Sequence, residues 1–340
     1  MAGSRWHLRF RGLAIGVAAG ALAYVVQRGR QQRDAIAPRI HDLTRRALVS
    51  LGVPAESQFV MVNGVRLHTV VAGPPSGPLA VLLHGFPECW YSWRKQIPAL
   101  VEAGYRVVAV DQRGYGLSDK FADVASYQPN ALAGDVRELI RRMGCERAVV
   151  VGHDWGGTVA WRFAMDYPDR VDRLAILNGA HPAAYARELR RNPEQWRKSL
   201  YFIFFQVPWL PELLVGYSPR ATMRFFLRGA STRKDAYTDD ELEVMAAAFA
   251  QPGAPKATLN WYRASFQFAG AWRRTRPVER PVLIVWGEDD VALSRALTVD
   301  LEAWAPNLSV HTIPHCGHWV QNEAPAEVNA HLLGFLSTPG

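Results

Sequence analysis

Cysteine is scarce: Cys89, Cys145 and Cys316 are the only three in 340 residues, with no close pairing and no metal-ligand spacing. Neither a disulfide scaffold nor a thiolate metal site is implied, and this usage favours a reducing compartment. Internal repeats and low-complexity tracts are also missing, which sets aside solenoids and disordered arrays. The formal net charge of +8 looks basic, yet nine arginines against Asp34 and Asp42 place +7 of it before residue 51. The body that follows is nearly neutral and lacks the basic footprint of a nucleic-acid binder. No motif asks for a metal or a nucleotide, so no cofactor is expected.

Long apolar runs are missing too. An uncharged, largely apolar stretch near the N-terminus, Gly12 to Gln27, has sixteen residues. As a helix rising about 1.5 Å per residue it spans roughly 24 Å of a ~30 Å hydrocarbon core, so it must thin the bilayer or let its flanking arginines snorkel. Basic residues follow it at once and no disulfide set accompanies it. These features favour an uncleaved single-pass anchor, with the membrane as partner and the endoplasmic reticulum as the site in a eukaryote. The competing reading is a cleaved signal peptide, with A-x-A-like sites at Ala19/Ala21 and Ala21/Ala23. Residues 1–55 are read as this anchor and a polar, helix-prone connection.

What the chain does have is 49% hydrophobic residues, enough for one sizeable core. From residue 58, β-rich runs flank Asn63-Gly64, a strong hairpin signal. Apolar strand-length runs follow at 79–83, 105–110, 148–151, 174–177 and 282–286, most of them separated by helix-length segments. Strands apolar on both faces and alternating with helices predict a mostly parallel sheet covered on both sides. The alternation stops after Leu177 and resumes at Val282. The aromatic-rich, helix-patterned insertion between them predicts a helical lid over the carboxyl ends of the strands. The expected division is 56–180 and 276–340 for the α/β core and 181–275 for the lid.

The segment richest in chemistry is Val151-Gly152-His153-Asp154-Trp155-Gly156-Gly157. An apolar strand runs through G-x-D-x-G into a helix, the context of a nucleophile elbow with Asp where serine hydrolases carry Ser. A carboxylate is already anionic and needs no base for its first attack, so it suits displacement at an sp³ carbon in an epoxide or an alkyl halide. A capping Asp in an ordinary turn is the bland alternative.

Taken together, these segments resemble the epoxide hydrolases of the α/β-hydrolase superfamily over residues 58–338, closest to the membrane-anchored vertebrate-type subgroup. His84-Gly85-Phe86-Pro87 is similar to the family's H-G-x-P motif, which implies the backbone N–H groups of Phe86 and Trp155 as oxyanion donors. Without that resemblance, His84-Gly85-Phe86-Pro87 reads as a turn. Asp111-Gln112-Arg113-Gly114-Tyr115-Gly116-Leu117-Ser118 resembles a structural loop of the same enzymes. Trp286-Gly287-Glu288-Asp289-Asp290 implies Asp290 as the acid of the triad, with Asp289 as runner-up. His315-Cys316-Gly317-His318-Trp319 implies His318 as general base, whereas His315 and His153 read as packed or backbone-bonded residues.

Two lid segments, Tyr201-Phe202-Ile203-Phe204-Phe205 and Asn260-Trp261-Tyr262-Arg263, resemble those that present acid phenols, which implies Tyr201 and Tyr262 as proton donors to the opening epoxide. Read alone, both tyrosines are lid packing. The implied activity is opening of lipophilic epoxides to vicinal diols through a covalent aspartyl ester, hydrolysed by water that His318 and Asp290 activate. A haloalkane-type dehalogenase and a catalytically silent binding protein on the same fold are the competing readings.

Overall fold

A computed structural model describes residues 23–338. Eight strands form one sheet: β1 (Ala55–Val62), β2 (Val65–Ala72), β3 (Leu79–Leu83), β4 (Arg106–Val110), β5 (Ala148–His153), β6 (Val171–Leu177), β7 (Val282–Gly287) and β8 (Leu308–Ile313). Their order is β1-β2-β4-β3-β5-β6-β7-β8, antiparallel at β1/β2 and β2/β4 and parallel elsewhere. β3, β5 and β7 are buried along their whole length, which explains their unbroken apolar runs. The hairpin is where Asn-Gly puts it: Asn63 and Gly64 have φ of 49° and 77°, the positive pair that a tight two-residue turn needs, and Val62 faces Val65.

β8 was not expected from the sequence. It lies at the sheet edge and carries Ser309, His311 and Thr312, so it offers no apolar run to detect. Between β6 and β7 the described chain is helical, from Pro182–Arg191 through Asp239–Phe249 and Ala254–Gln267 to Ala269–Trp272. Local signals start several of these helices. Proline occupies the first turn after His181, Asn192 and Ser218, and Thr238 with Glu241 makes a full capping box.

The N-terminal expectation needs correction. Among the described residues no helix is long and apolar enough to cross a membrane. The uncharged run largely lies outside the described residues. Its last part, 23–27, begins a helix over 23–36 that carries charged residues and docks on the body. Ile36 is fully buried, Arg33 Nη1 donates to the Gly216 carbonyl at 2.7 Å, and Gln251 Nε2 donates to the Ala37 carbonyl at 2.9 Å. The following helix, Ile40–Ser50, buries Ile40, Leu43 and Ala47 against β1 and helix Asp239–Phe249. What reads as a polar connection is thus part of the core.

Ile36→Ala should therefore destabilise the full-length chain by about 2–5 kcal/mol, because the methyl groups removed leave a cavity. Urea unfolding would show a lower midpoint at unchanged slope. An unchanged midpoint would mean that the segment does not dock in solution.

Candidate active site

The carboxyl ends of β3, β5, β6 and β7, and the loop after β8, converge on one place. At its centre Asp154 stands between β5 and helix Trp155–Asp166, with φ 52° and ψ −120°. Such a backbone costs of order 1–3 kcal/mol in a non-glycine residue and persists only where the surroundings dictate it. Here they do: a Cβ on Gly156 would come within 2.0 Å of the Leu83 carbonyl, so glycine there lets the helix start against β3. A Cβ on Gly85 would lie 2.2 Å from Asp154 Oδ1. That close approach lets the Phe86 N–H donate to Oδ1 at 2.8 Å, beside a cis Phe86–Pro87 bond. Trp155 is the first residue of the helix, so its N–H belongs to the unpaired amide set of a helix N-terminus.

The other carboxylate oxygen, Oδ2, lies 3.5 Å from His318 Nε2, and His318 Nδ1 is 2.7 Å from Asp290 Oδ2. Asp290 is buried and its oxygens are saturated: Asn178 Nδ2 donates to Oδ2 at 2.6 Å, and the Ala292 and Leu293 N–H groups donate to Oδ1 at 2.7 and 2.9 Å. Burial alone would raise its pKa, but the adjacent His318 and these donors hold it below the ordinary carboxylate value. For His318, burial opposes the charge, yet Asp290 on one side and Asp154 on the other push its pKa well above the usual value. Both carboxylates thus favour the protonated form of the ring.

Asp289 is exposed, so of the two adjacent carboxylates Asp290 is the one on the histidine. His153 is fully buried, with Nδ1 2.9 Å from Glu88 Oε2 and Nε2 2.9 Å from the His318 carbonyl, as a backbone-bonded residue. The His315 ring is exposed, and only its carbonyl is bonded, by Arg233 Nε at 3.1 Å. Two participants escaped the sequence reading. Asn178 bridges Asp290 and the Gly287 N–H, and its place at the carboxyl end of β6 was the available signal. Glu88, which follows His84-Gly85-Phe86-Pro87 directly, carried no signal that separates it from a surface acid.

Above the carboxylate, Tyr201 on helix Leu200–Phe204 and Tyr262 on helix Ala254–Gln267 meet with ring centroids 5.8 Å apart. Tyr262 also packs edge-on to Trp155 and Phe86, at 5.2 and 5.4 Å. Burial first, and then the neighbouring phenol and the Asp154 charge, push both tyrosines well above their ordinary pKa. For Tyr201 the neighbouring phenol is Tyr185, and for Tyr262 it is Tyr201. Both therefore remain protonated donors. A cavity of about 470 Å³ opens onto Asp154, walled by Trp155, Tyr201, Phe202, Phe266 and Trp272. Tyr262 is not in its wall but packs against Tyr201 and Trp155, which are. Among the described residues no group of three or more His, Cys, Asp or Glu side chains is arranged to hold a metal ion.

Residues 78–325 match the family described as alpha/beta hydrolase fold. The chain is 41% identical over 279 residues to the AB hydrolase superfamily protein YfhM of Bacillus subtilis, covering 82% of this chain and 97% of that one. It is 38% identical to Epoxide hydrolase 1 of Caenorhabditis elegans, over 83% of this chain and 70% of the relative. With human Epoxide hydrolase 4 the identity is 36%, over 81% and 76%. Bacterial and animal relatives thus match alike, and the vertebrate-type subgroup is not singled out. Among solved structures, a mutant epoxide hydrolase from Bacillus megaterium complexed with its naphthyloxy-propanediol product superposes with a TM-score of 0.76 at 31% identity, over 83% of this chain and all of that one. With the matched region spanning most of its length and relatives of this identity covered over more than two thirds of theirs, the chain belongs to the alpha/beta hydrolase fold family, as an enzyme of its epoxide hydrolase group.

Proposed function

We propose that the enzyme opens lipophilic epoxides to vicinal diols in two half-reactions, through a covalent ester on Asp154. The observation that carries this reading is the division of labour between the two Asp154 oxygens. Oδ1 is held by the Phe86 N–H, while Oδ2 lies 3.5 Å from His318 Nε2. In the first half-reaction an Asp154 oxygen attacks an oxirane carbon and the C–O bond breaks. The departing oxygen takes a proton from Tyr201 or Tyr262. The phenolate left behind is reprotonated from the buried site, where His318 holds the available proton.

Ester formation removes the Asp154 charge, one of the two that keep His318 protonated. The imidazole thereby becomes a base when it is needed. In the second half-reaction neutral His318, oriented by Asp290, takes a proton from water; the hydroxide attacks the ester carbonyl, whose oxygen rests on the Phe86 N–H and, as the second donor, that of Trp155. The diol leaves, and Asp154 carboxylate and His318 imidazolium are restored, so protons and charges balance over the cycle. The apolar wall of the cavity supports lipophilic substrates, and the paired phenols support an epoxide over an alkyl halide.

Removal of the base separates the two steps. His318→Gln should still form the ester but fail to hydrolyse it, so intact-protein mass spectrometry after incubation with excess styrene-type epoxide should show one added substrate mass, mapped by digestion to the peptide containing Asp154. Normal turnover would remove His318 as base; inactivity without an adduct would mean that opening also needs His318 or that water attacks the epoxide directly, and would take away the main support for the ester.

The phenols should share the acid role. Tyr201→Phe and Tyr262→Phe are each expected to slow diol formation, and the double variant to lose about 10²–10⁴-fold, the usual contribution of a positioned acid. Wild-type rates in the double variant would place the proton donor elsewhere.

A further inference from the structure

Helix Pro193–Lys198 is a short piece of the lid, yet it grips the turn that begins at Asp290 by three backbone groups. Gln195 is fully buried; its Nε2 donates to the Ala292 carbonyl at 3.2 Å, and its Oε1 accepts from the Ser294 N–H at 2.7 Å. Lys198 Nζ donates to the Asp290 carbonyl at 2.7 Å. The same turn supplies the Ala292 and Leu293 N–H groups to Asp290 Oδ1, so its placement orients the carboxylate and leaves Oδ2 for His318 and Asn178. In the other direction Gln195 Nε2 donates to Ser199 Oγ at 2.9 Å. Ser199 directly precedes helix Leu200–Phe204, which carries Tyr201, and its hydroxyl also accepts from the Tyr185 hydroxyl at 2.8 Å. Ser199 and Leu293 both line the cavity that opens onto Asp154. Apolar contact would be enough to pack a lid on a core. A buried amide with its donors and its acceptor all engaged adds direction, because any displacement leaves one of its partners unpaired.

We infer that Gln195 is a positioning residue for both half-reactions: through the Asp290 turn it orients His318 as base, and through Ser199 it holds Tyr201 as acid, so that the two groups keep one spacing across Asp154. This rests on the epoxide-opening reading of the same site. In the first half-reaction a displaced Tyr201 delivers its proton less well, and opening slows. In the second, Gln195 acts through Asp290. Once the ester has removed the Asp154 charge, Asp290 is the carboxylate that remains on the ring. The other titratable groups on this side are Lys198, on the Asp290 carbonyl, and His153, with ring centroids 5.0 Å apart and Glu88 bonded behind it. A loosened Asp290 turn weakens the contact that raises the His318 pKa, so the ring gives up its proton at lower pH and is a weaker, less well aimed base.

Gln195→Met keeps the length of the side chain and removes all three of its bonds, whereas Ser199→Ala cuts only the arm toward Tyr201. Single turnovers of a styrene-type epoxide by the full-length enzyme, at saturating enzyme and across pH, are followed by rapid-quench mass spectrometry, which reads ester formation and ester decay separately. The rate constants do not depend on how much of a variant is folded. Gln195→Met should slow both steps about ten- to hundredfold and move the acid limb of ester decay to lower pH. Ser199→Ala should slow ester formation severalfold and leave that limb where the wild type has it. Wild-type rates in Gln195→Met, or two slowed steps with an unmoved limb, would overturn the positioning role and leave Gln195 as lid packing. Should Gln195→Met not be recovered folded, Ser199→Ala decides: ester formation at the wild-type rate overturns the link to Tyr201 and with it the common spacing. Absence of diol from the wild type would instead overturn the epoxide reading itself.

Discussion

The imidazole of His318 is gripped between two carboxylates in a buried pocket, and much of the architecture serves to keep that arrangement in place. Each charge would be costly to bury alone, so the three must be held at fixed separations with their remaining valences filled. Asp290 is held by Asn178 and two backbone N–H groups, Asp154 by Phe86 N–H. These donors come from the ends of β3, β6 and β7, and the parallel sheet is what brings those ends to one edge. The strained backbone at Asp154 belongs to the same constraint. It is tolerated because β3 and the following helix close around glycine contacts that no other residue permits.

A second buried layer sits behind the first. His153 touches the His318 carbonyl with one ring nitrogen and Glu88 with the other, and Glu88 is bonded in turn by Ser92. Burial would raise the Glu88 pKa, but its histidine and hydroxyl partners bring it below the ordinary value, so it stays ionised. The backbone of His318 is therefore fixed by a polar network with little freedom to slide, because a displaced member would leave a buried group unpaired. His153 is adjacent to Asp154 in sequence, so one buried ring links the backbone at Asp154 to that of His318.

The parts of this arrangement that could be read from the sequence are those whose chemistry is local. The elbow needs glycine, the hairpin needs Asn-Gly, and inner strands need apolar residues on both faces; all three leave a mark within ten residues. β8 leaves none, since an edge strand can be polar. Asn178 and Glu88 act through partners 112 and 65 residues away, and no local pattern carries that information. Tyr201 and Tyr262 stand between these cases. Their neighbours Phe202, Phe205 and Trp261 make them look like packing, and only the fold brings the two rings together above Asp154. At the N-terminus the local pattern misled for the opposite reason: charge and polarity between 28 and 51 suggest a solvated connection, whereas Ile36, Ile40, Leu43, Ala47 and Leu51 form one buried stripe.

That stripe matters to the lid. The family match begins at residue 78, so the helical segment over 23–50 lies outside it, yet this segment touches the lid in several places. Arg33 bonds the Gly216 carbonyl, Ala37 accepts from Gln251, and Arg39 shares Glu243 with Arg220. Glu243 and Gln251 flank the end of helix Asp239–Phe249, after which Gly253, at φ 81°, turns the chain into helix Ala254–Gln267 with Tyr262 on it. The position of one phenol above the carboxylate is thus one turn removed from contacts made by the first described residues. These contacts tie the lid to the N-terminal helices, and helix Pro182–Arg191 and the segment around Arg273 contribute to the wall of the cavity that opens onto Asp154.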